Sequence, residues 1–173
     1  MSITRFRTTR LALLTSFGGA ILLLTGATSA PHPERFKGGP WISVESPVNP
    51  YDSAARGAAF LVHTFHHSVP TTMEIEARAE GIVDGNRRTV PIPLSAARVG
   101  TYPVRNVWGT KGTWSVLVVA TQPSPRGSIH AVVDLGADGS VSRVTLPQRM
   151  MTTVEIDRSL RERVAAPVSV GAR

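Results

Sequence analysis

Met73-Glu74-Ile75-Glu76-Ala77-Arg78-Ala79-Glu80 alternates an apolar side chain with a charged one at every step. A period of two sends the first set to one face of an extended chain and the second to the other, whereas on a helix the apolar groups would scatter around the axis. The stretch is therefore a strand with one buried face. Asp84-Gly85 follows, and Val90-x-Ile92-x-Leu94 resumes the alternation. Asp-Gly suits a tight hairpin because Gly takes positive φ without penalty and Asp tolerates it, so the two strands should be antiparallel neighbours. Pro91 and Pro93 remove two N–H groups from one side of the second strand. Residues 89–94 thus read as an edge, and the prolines guard it against pairing with other chains.

Outward from this hairpin the chain keeps the same character. Residues 58–65 (AAFLVHTF) and 113–121 (TWSVLVVAT) are apolar on both faces, as expected of central strands. Ile129, Ala131, Val133 and Leu135 alternate with Ser128, His130, Val132 and Asp134, and Asp138-Gly139 turns the chain into residues 141–146 as a second hairpin. With Trp41-Ile42-Ser43-Val44 as a first strand, about seven strands separated by Gly or Pro predict an all-β, antiparallel β-sandwich over 41–146. The tail, 147–173, differs. Thr152-x-x-Glu155 fits a capping box, Ile156, Leu160 and Val164 recur at helical spacing, and Asp157 stands four before Arg161. A short C-terminal helix is expected, its narrow apolar stripe free to dock on the sandwich, on a partner or on nothing.

The N-terminus reads as an export signal. Arg5, Arg7 and Arg10 precede the uncharged stretch 11–30, which contains the apolar run LALLTSFGGAILLL at 11–24 and small residues before Ala27 and Ala30. Residues 1–30 are assigned as a signal peptide, with an uncleaved signal anchor as the rival because roughly 20 uncharged residues suffice to span a membrane. Residues 31–40 form a Pro- and Gly-rich linker. Cleavage after Ala30 would leave Pro31 at the terminus, so cleavage after Ala27 is the alternative. The formal charge of +7 falls to +4 once the three signal arginines are removed, with no basic run longer than Arg87-Arg88. Nucleic-acid binding loses its main support. The absence of Cys excludes a disulfide scaffold, a Cys-based zinc module and a lipoprotein anchor.

At Gly100-x-Tyr102, followed by Gly112-x-Trp114-x-Val116-x-Val118, the chain resembles the secreted immunoglobulin-like modules typified by YtkA-like and CopC-like bacterial domains, over residues 60–121. The resemblance implies an immunoglobulin-like sandwich in the periplasm or outside the cell. Some relatives of those domains handle copper through His and Met; no full ligand set carries over to this chain residue by residue.

His63, His66 and His67 form the only local cluster of potential ligands, and imidazole binds Cu(II), Zn(II) and Ni(II) well. On a regular strand His63 and His67 would share a face about 13 Å apart while His66 pointed the other way, so no single ion could reach all three. A bend before Pro70 would instead free His66 and His67 to converge with His32, His130, Met73 or an acid. Against these metal readings stand a partly buried His63 hydrogen-bonded to a neighbour, with His66 and His67 as polar residues at the strand end, and a pH-sensitive contact surface. A copper site at His32 depends on where the signal is cut. Met150-Met151 offers soft donors, but adjacent residues on a strand point apart, and packing between sandwich and tail is the expected use.

Catalytic signatures such as G-x-S-x-G, H-E-x-x-H, S-x-x-K and phosphate-binding glycine loops are absent from the sequence. Glu74, Glu76 and Glu80 read as a solvated strand face, and no pocket is expected to bring a His and a carboxylate within hydrogen-bond reach. Of Trp41, Trp108 and Trp114 as a carbohydrate or peptide platform, Trp114 reads as core, and Trp108, in a Gly-rich turn, is the one whose exposure needs testing. The sequence thus predicts an exported, non-enzymatic binding or scaffolding domain of the cell envelope, its partner an unknown envelope protein or ligand. The alternative is a periplasmic copper-binding or copper-delivery protein using His63, His66 and His67.

Overall fold

The computed structural model describes residues 39–122 and 127–166, all within one compact unit, Arg35–Arg173. The expected signal, most of the linker, and His32 lie outside the described residues. Strands β1 (Trp41–Glu45), β2 (Phe60–His66), β3 (Val69–Pro70) and β6 (Thr101–Val104) form one antiparallel sheet, with β2 in the middle. Strands β4 (Glu74–Val83), β5 (Asn86–Ile92), β7 (Thr113–Gln122), β8 (Gly127–Leu135) and β9 (Val141–Thr145) form the other, in the order β5-β4-β7-β8-β9. Helix α1 (Thr153–Ala165) follows. The molecule is an all-β sandwich with a short C-terminal helix.

The alternation in β4 behaves as its sequence demands. Ile75, Ala77 and Ala79 face a core that includes Val116, Val118, Ala131 and Val133 from the same sheet and Ile42, Phe60, Val62, Tyr102 and Val104 from the other. At Gly81 an added Cβ would meet the Trp114 ring at 2.3 Å, so glycine is what lets the indole lie flat on β4. Trp108 is buried rather than exposed, at 6% accessibility, and belongs to this core too. Both Asp84 (φ 49°) and Gly85 (φ 76°) take the left-handed conformation between β4 and β5, as a tight hairpin turn requires. β5 pairs with β4 alone, with Pro91 opposite Arg78, and is an edge as expected.

Sequence reasoning left the docking of α1 open, and the structure places it on the outer face of the five-stranded sheet. Thr152 and Glu155 form both halves of the capping box. Ile156 and Leu160 bury against Ile82 and Leu117, with Met151 and Val132 at the margin, making a second, smaller core. Val164 is not part of it and stays exposed, so the apolar stripe is two residues long. Met151 packs between sandwich and tail, while Met150 is half-exposed.

The helix changes what its neighbours on the sheet can be. Glu74 and Glu76 are solvated, but Glu80 is not: it is 5% exposed and receives Arg78 Nε at 2.8 Å, Arg87 Nη2 at 3.1 Å and the Thr89 hydroxyl at 2.7 Å. Arg87 also reaches Asp157 on α1 at 3.1 Å. These partners hold the Glu80 carboxyl below the usual range although burial pushes it the other way. At the other end of the helix Asp134, 3% exposed, takes the Ser115 hydroxyl at 2.7 Å and two nitrogens of Arg143 at 2.9 and 2.7 Å, and pairs with Arg163 of α1. Arg163 donates onward to the Trp114 carbonyl at 2.7 Å. Two buried carboxylates thus anchor the helix, and the row of glutamates expected to be solvent-facing is divided by it. Among the described residues no helix is long and apolar enough to cross a membrane.

Candidate functional site

The outer face of the four-stranded sheet carries the densest set of chemically capable side chains outside the helix anchors. Phe60, Val62 and the rest of that phase face the core, so Leu61, His63 and Phe65 point outward. Antiparallel register then stacks them into rows across the sheet. One row is Trp41–Phe65–Pro70, the next Ser43–His63–Thr101, the third Glu45–Leu61–Pro103. An aromatic ladder therefore lies beside a polar one. The Trp41 and Phe65 rings stack with centroids 4.0 Å apart and planes 9° from parallel, and Trp41, on the edge strand, remains 41% exposed.

His63 is fixed at both ring nitrogens. Nε2 lies 3.0 Å from Glu45 Oε2 and Nδ1 lies 3.2 Å from Thr101 Oγ1. A carboxylate can only accept, so Nε2 carries the proton, and in the neutral ring Nδ1 accepts from the Thr101 hydroxyl. Glu45 also takes the Asn49 N–H at 3.0 Å; that bond, and then His63, hold its carboxyl below the usual range. Beside it, Asp52 caps a 3-10 turn, Ser53–Ala55, by accepting the Ala54 N–H, and receives both terminal nitrogens of Arg98 at 2.7 Å. Arg98 first, and then the Ala54 N–H, hold the Asp52 carboxyl down to about 2.

A His and a carboxylate thus do meet, contrary to expectation. They meet as a clip within a sheet face: Thr101 is 4% exposed and the His63 side chain 16%, so neither the hydroxyl nor the ring has a free position from which to reach a substrate. The expected histidine cluster separates. His63 sits in the polar row, while the chain turns back at His67 (φ 50°) and Ser68 (φ 64°), putting His66 and His67 at a hairpin between β2 and β3 with their ring centroids 3.9 Å apart. That turn carries no glycine, and His is among the few other residue types enriched at positive φ. His130 stands on the other sheet with Nε2 3.1 Å from the Ser128 hydroxyl. Among the described residues no three His, Asp or Glu side chains are grouped to hold a metal ion.

No family model matches the chain, and no curated protein or solved structure matches it at the level of a recognisable relative. The site is therefore argued from its own residues. Sequence reasoning singled out His63 and Trp41 but missed Glu45, Asp52, Arg98 and Thr101, which come from two distant stretches, 45–52 and 98–101. The signal that could have gathered one of them, Glu45, was phase: Trp41-x-Ser43-x-Glu45 and Leu61-x-His63-x-Phe65 share one period, and pairing them antiparallel sets Glu45 in the row beside His63.

Proposed function

We propose that the protein is an exported, non-enzymatic, immunoglobulin-like domain that acts by binding or scaffolding at the cell envelope, and that the Trp41–Phe65–Pro70 row on the outer face of its four-stranded sheet is the contact surface. The observation that carries this reading is Trp41, an indole held flat against Phe65 in line with Pro70 and still 41% exposed. Aromatic side chains with one end wet are typical anchors of binding surfaces. The polar row next to it is already locked by hydrogen bonds, so contact there would cost little side-chain ordering. Arg5, Arg7 and Arg10 before the apolar run 11–24 support export. The copper alternative has less behind it, since His63 has both ring nitrogens occupied and only His66 and His67 adjoin.

The test is a photo-crosslinking residue in place of Trp41 in the full chain, expressed in a bacterium, with the same residue in place of exposed Arg158 as control. The expected result is a discrete adduct to a second molecular species from position 41 alone, recovered with the envelope or periplasm. Equal labelling from both positions, no adduct, or accumulation in the cytosol overturns the proposal.

A further inference from the structure

Exposed apolar side chains gather where the chain enters the sandwich. Phe65 pairs with Trp41, the first residue of β1, and His66, the last residue of β2, pairs with Val69. The Gly100 carbonyl accepts the Thr64 N–H at 2.9 Å, which brings Val99 to the same end of β2. Trp41, Val69 and Val99 are 41%, 61% and 63% exposed. Three such side chains fall well short of the roughly 800 Å² that each partner gives to a stable protein complex. A patch this small is useful when something else holds its partner close. The sequence supplies that: from Trp41 the chain leads back through residues 31–40 to the uncharged run 11–30, and about 20 such residues span a membrane. The connecting residues 31–40 reach at most about 35 Å. A chain retained by that run keeps its Trp41 end within this distance of the lipid, and the linkage raises the local concentration of lipid at the patch.

We infer that residues 11–30 stay in the membrane as an anchor and that Trp41, Val69 and Val99 rest on the outer lipid surface of that same membrane, with Trp41 in the head-group layer. The inference takes the anchor reading of the N-terminus and rests on the reading of the Trp41 row as the contact surface of an exported domain; it names the partner as phospholipid. Indole suits that layer, because its ring is apolar and its N–H needs a polar neighbour. Phe65 backs the Trp41 ring at 4.0 Å, so the indole is already ordered and loses little freedom on contact. The two weak attachments, tether and patch, reinforce each other: the first brings the domain to the surface, and the second fixes which end of the four-stranded sheet faces it.

Tryptophan fluorescence reads this contact directly. No Trp lies in residues 1–40, and Trp108 and Trp114 are buried, which leaves Trp41 as the one exposed indole. The full chain is placed in vesicles of phosphatidylethanolamine and phosphatidylglycerol containing phosphatidylcholine brominated near the head-group end of its acyl chains. Its emission should be quenched, and Trp41→Phe should lose that quenching. Val69→Glu/Val99→Glu, which keeps all three indoles, should lose it too with the unfolding midpoint unchanged, whereas Val164→Glu, on α1 over the other sheet, should not. The inference fails if the unsubstituted chain is not quenched, if Trp41→Phe is quenched as strongly, or if a folded Val69→Glu/Val99→Glu protein is quenched like its parent. Should that double variant not fold, Trp41→Phe decides alone. The mass of the envelope-bound product separates this inference from the reading beneath it: an exported chain lacking residues 1–27 or 1–30 overturns the anchor alone, and a cytosolic chain overturns both.

Discussion

The Tyr102 hydroxyl serves the Met73 backbone twice, donating to its carbonyl at 2.7 Å and accepting its N–H at 2.8 Å. Met73 lies immediately before β4 and Tyr102 on β6, so this phenol joins the two sheets by a polar contact inside an apolar core. Tyr102→Phe keeps the ring and strands a buried donor and acceptor together. Leaving such groups unpaired costs about 1–3 kcal/mol, and a urea-unfolding midpoint lowered accordingly, with the slope unchanged, is the expected outcome.

Gly81 and the Trp114 ring occupy one space between them. Gly81→Ala forces a methyl into contact with the indole and should destabilise the domain by about 1–3 kcal/mol, the usual cost of overpacking. Trp114→Leu in the same chain makes room, so the double variant should lose less than the sum of the two singles in thermal or denaturant unfolding.

Asp134 is the anchor at the far end of α1. Asp134→Ala leaves the Arg163 side chain, 19% exposed, with its charge uncompensated; Arg143, 60% exposed, turns to water at little cost. Breaking a buried pair from one side costs roughly 3 kcal/mol. The loss should show first as faster tryptic cleavage at Arg158 and Arg161, which tracks release of the helix, before the sandwich itself unfolds.

The capping box predicts how the helix responds to acid. Glu155 is held down to about 2, by Arg149 first and then by the Thr152 N–H and hydroxyl. Its folded value lies below the ordinary 4.5, so its contribution is complete above that pH and is lost as pH falls toward about 2. Carboxyl titration by NMR should place Glu155 near that value, and Arg149→Ala should raise it.

Two adjacent imidazoles at an exposed turn make a poor resting place for Cu(II). Titration should show no stoichiometric saturation, and the His63→Ala/His66→Ala/His67→Ala variant should behave like the parent. Tight binding abolished in that variant would restore the copper reading.

The strands were legible wherever one face is wet and the other dry, as in β4, or wherever a turn needs Asp-Gly, as between β4 and β5 and between β8 and β9. The hairpin at His67 and Ser68 was not, because neither residue advertises positive φ as glycine does. Glu80 was misread for a different reason. Alternation identifies which face a side chain occupies but not what covers that face, and here α1, about seventy residues later, does so. Trp108 stayed open in the sequence, its glycine-rich neighbours being compatible with either exposure or burial. The polar row around His63 depends on register between β1, β2 and β6, a relationship among distant segments that no local pattern encodes.

Helix α1, which seals the larger sheet, is made after every strand that it covers. Ile82, Leu117, Glu80 and Asp134 are all synthesised before Ile156, Leu160 and Arg163 exist to cover or neutralise them. An emerging chain therefore holds one greasy, unevenly charged sheet surface open until α1 arrives, so burial of that surface is timed by the helix, and any product stopped short of α1 presents a sticky intermediate to whatever quality control surrounds it.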